Sequence, residues 1–259
     1  MTTSFRRFAK FVAVAVLLSA GTFATVTYAS HSWGDYHWAR TATPFTLKLG
    51  DNVSPSWDAY LSTASTDWSL SSVLDTSVVP GQSNQKNCRG TNGRVEVCNR
   101  KYGNNGWLGI ASISITDSHI TQGKVMLNDT YFNTNAYNTP AWRQFVTCQE
   151  IGHTFGLSHQ DEDFYNSNLG TCMDYASNPT TNQHPNIHDY EMLETLYAHL
   201  DSYTTALGSI LTSKPLDVDT SDRSEWGRSI RTSRDGRSSL YERDFGNDQK
   251  VFTFVIWAD

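Results

Sequence analysis

Gln149-Glu150-Ile151-Gly152-His153-Thr154-Phe155-Gly156-Leu157-Ser158-His159 is the stretch on which the reading of the whole chain turns. On a helix, residues 149 and 153 lie one turn apart on the same face, so two side chains there can grip one ion while Glu150 stands beside it. Gly156 lets the backbone turn sharply and brings His159 in from outside the helix. Just upstream, Thr139-Pro140 is a helix opening, Trp142, Phe145, Val146 and Ile151 supply apolar contacts, and Gly156 is the terminator. A short Q-E-x-x-H arises often by chance, so the weight falls on its combination with Gly156, His159 and a second stretch downstream.

That second stretch is Gly170-Thr171-Cys172-Met173-Asp174-Tyr175. Together the two stretches resemble the metzincin proteases, whose signature H-E-x-x-H-x-x-G-x-x-H is matched at Glu150, His153, Gly156 and His159, with Gln149 standing at the first His. Met173 is similar to the methionine of the turn beneath the metal, and Tyr175, two residues on, matches a tyrosine of the astacin-like and serralysin-like members. The resemblance covers about Phe45 to Leu200, with the spelling nearest the matrixin-like branch. It implies Zn²⁺ held by Gln149, His153 and His159, Glu150 as general base, Tyr175 assisting at the oxyanion, Met173 in a structural role, and a polypeptide substrate cleaved by a metal-activated water. In that family the substrate adds as a strand to a sheet edge, and Gly123 to Asn128 (GKVMLN) is the expected edge. The spelling CQE-x-GHTFGL-x-HQDE from Cys148 to Glu162 is also similar to a group of secreted bacterial proteins, which makes Gln149 a group feature and implies nothing about activity.

Gln149 changes the chemistry that the family signature implies. Its carbonyl is a neutral oxygen, whereas Zn²⁺ prefers imidazole, thiolate or carboxylate. Disturbing even an outer partner of a metal site costs ~10 to 100-fold in affinity, so the weakened ligand costs at least about 1.4 to 2.7 kcal/mol. Three outcomes stay open: an enzyme with Gln149 or a water as third ligand, a site completed by another residue, or a metzincin-like extracellular binding protein that does not cut. The substitute ligands are His184 and His188 after the Met-turn, and Asp161, Glu162 or Asp163 beyond His159. The same three acids offer hard oxygens that suit a structural Ca²⁺, but without EF-hand spacing a solvated turn is the plainer reading.

Outward from the motif, Phe45, Leu47 and Leu49 alternate with polar residues at the period of a half-buried strand. Ser54-Pro55 starts a helix with Trp57, Tyr60, Leu61, Ala64 and Trp68 on one face. Residues 73–79, 94–98, 107–116 and 123–132 are β-rich runs separated by Gly and Asn, and a third helix runs from about Asp189 to Leu200. The fold class is α+β, a metzincin-like catalytic domain over residues 30–201 with a twisted mixed sheet and three main helices. Residues 202–221 are a linker by composition. Residues 222–259 form a β-rich tail with a hairpin, Leu240 to Phe245 and Val251 to Trp257, turning at Gly246-Asn247-Asp248.

The first 29 residues have the layout of a signal peptide: basic Arg6, Arg7 and Lys10, apolar Phe11 to Ala20, and the small-residue site Thr27-Tyr28-Ala29. An uncleaved anchor is the alternative. Cleavage after Ala29 takes three positive charges away and moves the net charge from −6 to −9, which argues against a nucleic-acid partner. Four cysteines in an exported chain point to disulfides. Three connectivities are open; Cys88–Cys98 closes a short loop and Cys148–Cys172 ties the motif helix to the Met-turn, and that pairing is favoured. The resulting expectation is a secreted, extracellular monomer with no stable membrane insertion after signal cleavage.

Overall fold

Strands form where β-branched and aromatic residues run without a helix-forming period, and this chain has many such runs. The computed structural model describes residues 31–206, 216 and 218–258, so the expected signal segment and the middle of the expected linker lie outside the described residues. In chain order the elements are β1 (His37–Trp38), β2 (Phe45–Asn52), α1 (Asp58–Trp68), β3 (Leu74–Pro80), β4 (Arg94–Arg100), β5 (Trp107–Thr116), β6 (His119–Asn128) and the single turn α2 (Asp129–Phe132). Then come α3 (Pro140–His153), α4 (Ile187–Leu196), β7 (Arg228–Thr232), β8 (Ser238–Gly246) and β9 (Gln249–Trp257). The architecture is α+β, with one mixed sheet and three principal helices, α1, α3 and α4.

The sheet runs β3-β2-β4-β6-β5-β9-β8-β7, with the two-residue β1 parallel to the start of β6. Strands β3, β2, β4 and β6 are parallel, and everything from β5 outward is antiparallel. Side chains of β5, β6 and β9 are buried on both faces: Leu127, Ala111 and Phe254 face the main core with the helices, while Met126, Ile110 and Val255 face a second cluster. That second cluster is closed by Trp226, Tyr241 and the Cys88–Cys98 disulfide. Burial on both faces accounts for the apolar stretches Trp107–Ala111, Val125–Leu127 and Phe254–Ile256, where no alternation marks the strand in the sequence.

Three expectations are corrected. The run Gly123–Asn128 is not an edge: it lies within β6, hydrogen-bonded between β4 and β5 and buried throughout. Strand β5 is the one that carries the antiparallel flank, and its outer side is taken by β9 from Trp107↔Trp257 to Thr116↔Gln249. The first helix also starts later than Ser54-Pro55; residues 55–57 form a turn and Asp58 begins the helix. The motif helix starts where its chemistry requires, with Pro140 in the first turn and the Thr139 hydroxyl accepting from Trp142 N–H at 3.2 Å. Asn186 and Asp189 close a capping box on α4, which therefore begins before Asp189 and ends at Leu196. Described parts of residues 202–221 pack firmly: Thr205 exchanges bonds with Ala39, and the Val218 carbonyl accepts from the Lys124 ammonium at 2.6 Å. Among the described residues no helix is long and apolar enough to cross a membrane.

Candidate metal centre

Helix α3 is buried on every side from Gln144 onward, packed on α1, β5 and β6. Its last turn carries Gln149, Glu150 and His153, all buried. Gly156 then takes φ +96°, and a Cβ there would meet the Tyr36 carbonyl oxygen at 2.1 Å, so only glycine fits the turn that sends the chain back to His159. The imidazoles of His153 and His159 come together with ring centroids 4.5 Å apart. Beneath them the Cys148–Cys172 disulfide ties α3 to the Met173 segment, and Met173 lies against Gly152. A 24-residue separation of this kind stabilises the fold by about 3 kcal/mol through the unfolded chain.

Each donor group has its far end tied, and for His159 and Gln149 the near end is left over among the described residues. The His153 Nδ1–H donates to the Leu157 carbonyl at 2.8 Å, which leaves Nε2 with its lone pair. The His159 Nδ1–H donates to Glu162 Oε1 at 3.2 Å, and its buried Nε2 has no hydrogen-bond partner among the described residues. Gln149 Nε2 donates to the Cys172 carbonyl at 2.9 Å, which leaves the buried Oε1 equally without one. Two imidazole nitrogens and one amide oxygen are thus held ready as acceptors, the condition that a cation satisfies. Burial, reinforced by the neighbouring imidazole, holds His153 well below the usual histidine range; burial also lowers His159, so both rings are neutral, as ligands must be.

Glu150 stands on the adjacent face of α3 with its carboxyl over β5. A Cβ on Gly109 would come within 2.9 Å of Glu150 Oε1 and 2.5 Å of Val146, so the carboxyl has its room because β5 has a glycine there. Burial pushes the Glu150 carboxyl well above the ordinary range, against the opposing hydrogen bond from the Ala111 backbone. Tyr175 lies against His159 with centroids 4.1 Å apart and stacks on Phe164; burial raises its hydroxyl well above its ordinary value although Ser238 hydrogen-bonds it.

The substitute ligands go elsewhere. His184 bonds Asp67 at 2.7 Å and is exposed, and His188 stacks on His31. Asp161 accepts from the Asp163 N–H and Asp163 from the Tyr165 N–H, and among the described residues these acids do not come together as a group of metal-ligating side chains. Glu162 acts from behind: it holds His159 on one side and Arg231 at 2.8 Å on the other. Burial alone would raise its carboxyl, but those two partners hold it below the usual range.

Sequence reading missed the residues that close the site. Phe254 of β9 stacks on His153 at 4.1 Å and 2°, and Trp33 packs edge-on against Phe254 at 4.0 Å. With Arg231, Ser238, Ser239 and Leu240 it leaves beside His159 a cavity of about 10 Å³, room for no more than one water. No local signal marks these residues, because Phe252-Thr253-Phe254 spells an ordinary strand.

No family model and no curated protein matches the chain. Among solved structures it is similar to myroilysin, at 12% identity and a TM-score of 0.36, over 62% of this chain and 96% of that one.

Proposed function

We propose that the chain is a secreted zinc-dependent endopeptidase of metzincin type, acting as a monomer on extracellular polypeptides, whose cleft is closed here by its own C-terminal strands. The supporting observation is the set of three buried acceptors, Gln149 Oε1, His153 Nε2 and His159 Nε2, each with its other end anchored. These residues would hold the metal, and the Glu162 carboxylate behind His159 orients that ring. When bound there, zinc supplies a Lewis acid that lowers the pKa of a coordinated water towards neutrality.

The rest of the chemistry belongs to the chain. Burial disfavours the charged form of Glu150 while the cleft is dry; once water and substrate enter, it becomes the base that accepts the proton of the attacking water and returns it to the leaving amine. The Tyr175 hydroxyl donates to the carbonyl oxygen as negative charge develops on it. β5 offers its backbone to an extended peptide, in the position β9 holds in the closed form.

That closure also favours a second reading, an extracellular binding protein on the same scaffold that does not cut. Zinc content and casein cleavage separate the two, using wild type, Phe254→Ala to open the cleft, and Phe254→Ala with Glu150→Ala. The peptidase reading expects one zinc that His159→Ala removes, and cleavage by the opened chain that vanishes with Glu150. Zinc indifferent to His159, or no cleavage by the opened chain, would favour the second reading, and cleavage indifferent to Glu150 would overturn the role given to that carboxylate.

A further inference from the structure

A second group of metal-ligating side chains lies where β1 enters the sheet, built from residues far apart in the chain. Pairing of β1 with β6 sets His37 opposite His119, with ring centroids 4.9 Å apart. The chain leaving α4 then returns to the same place. There Asp201 exchanges two bonds with Arg40: its N–H donates to the Arg40 carbonyl at 2.8 Å, and its Oδ2 accepts from the Arg40 N–H at 3.0 Å. His199 arrives two residues earlier, its ring 4.7 Å from that of His37.

The tautomer of His37 is set by its partner. Its Nδ1 lies 2.6 Å from the Asp35 carbonyl, which only accepts, so Nδ1 carries the proton and Nε2 carries a lone pair. That Nε2 faces His199 Nε2 at 3.1 Å and Asp201 Oδ2 at 3.7 Å, and His199 Nε2 is 3.7 Å from Asp201 Oδ1. Ligand atoms about 2.0 Å from a tetrahedral zinc lie about 3.3 Å from one another, within the spread seen here. Among the described residues this is the one group of three His, Cys, Asp or Glu side chains whose donor atoms all fall within 4.8 Å of one another.

The surroundings are those of a held site. His119 Nε2 lies 3.1 Å from Asp201 Oδ1 and its Nδ1 is 2.8 Å from the Tyr203 hydroxyl, so the carboxylate is oriented from behind. His37 is buried and Asp201 partly so, while the His199 side chain is 55% exposed, on a cavity of about 510 Å³ that also reaches Asp35 and Ser118. A cation therefore has a path in and a position left for water. Two imidazoles and one carboxylate suit zinc and its neighbours, whereas calcium and magnesium take oxygen ligands.

We propose that His37, His199 and Asp201 are the ligands of a second, structural metal site for a zinc-class divalent cation, which clasps the entry segment, residues 31–40, to the chain beyond α4. This segment supports the turn that delivers His159. Trp33 N–H donates to the Gly156 carbonyl at 3.3 Å, Trp38 Nε1–H to the Thr154 carbonyl at 2.9 Å, and Ser158 N–H to the His31 carbonyl. The clasp acts on stability and takes no part in bond cleavage, and it does not depend on the peptidase reading.

The test is the difference in metal binding between wild type and His199→Ala, on full-length, tag-free protein stripped with a chelator and titrated with Zn²⁺ and with Co²⁺. His199 is exposed enough for the variant to fold, which near-UV circular dichroism checks, and Asp201→Asn is the second variant. Wild type is expected to bind one equivalent more than either variant, or to bind it at least about 100-fold more tightly, since losing even an outer partner costs ~10 to 100-fold. Added Zn²⁺ is expected to raise the melting temperature of wild type by more than that of His199→Ala. Equal stoichiometry and affinity in all three proteins would overturn the proposal, leaving His37 and His199 as a hydrogen-bonded pair. An equivalent lost in His159→Ala but retained in His199→Ala reports on the α3 centre alone, so the two readings fail separately.

Discussion

At the scale of single residues, Glu150 and Gln149 are where the fold and the proposed chemistry pull against each other. Burial raises the Glu150 carboxyl, so between the ordinary and the raised value the folded chain holds a proton that the unfolded chain has already released. Its contribution to stability is complete below the ordinary carboxylate range and falls as pH rises from there through the raised value. Glu150→Gln in metal-free protein is therefore expected to raise the melting temperature at pH 7 and to leave it unchanged near pH 4; equal melting at both would show that the carboxyl is solvated. Gln149 is expected to answer to metal instead. Gln149→His replaces a neutral oxygen by imidazole, and competition against a chelator is expected to find zinc held at least about 10-fold more tightly. An unchanged affinity would place residue 149 outside the ligand set.

At the scale of elements, what could be read in the sequence depended on how local its cause was. α3 was legible because its cap at Thr139, its proline and the glycine after it all act within one or two turns. The edge of the sheet was not, because neighbouring strands are chosen by pairing across long stretches of chain, and Gly123–Asn128 has nothing in its spelling that distinguishes an interior strand from an edge. The candidate metal centre divided the same way: Glu150, His153 and His159 stand out by spacing, whereas Phe254 becomes visible only once β9 is laid on β5. That pairing makes its own prediction. Ser112 and Thr253 are opposite one another on β5 and β9, close enough for a cross-strand disulfide. If β9 must leave for substrate to bind, Ser112→Cys with Thr253→Cys, oxidised, is expected to bind zinc as the wild type does and to show no casein cleavage. Cleavage by the locked protein at the wild-type rate would mean that the substrate enters by another route.

At the scale of the whole molecule, the C-terminal strands are part of the main sheet. Phe252, Phe254 and Ile256 belong to the same core as Trp68 and Phe155, and Val255 to the cluster with Trp107. Burying aromatic rings of this size is worth several kcal/mol each; truncating one to alanine costs about 3 to 5 kcal/mol. Opening the cleft is therefore expected to loosen the sheet as well as expose the proposed metal centre, and Phe254→Ala is expected to melt earlier than wild type while gaining access for substrate.

The register Ser112↔Thr253 joins residues 141 positions apart, so β5 stays without its outer neighbour until nearly all the chain has been laid down. During that interval an unpaired, apolar flank is available to any strand of matching shape, and the best match is β9 of another copy. Exchange of the β8–β9 hairpin between two chains would satisfy every backbone bond that the closed monomer makes. Refolding from denaturant at high protein concentration is expected to yield such exchanged dimers, seen by light scattering and returning to monomer only through unfolding, while refolding in dilute solution gives the monomer alone.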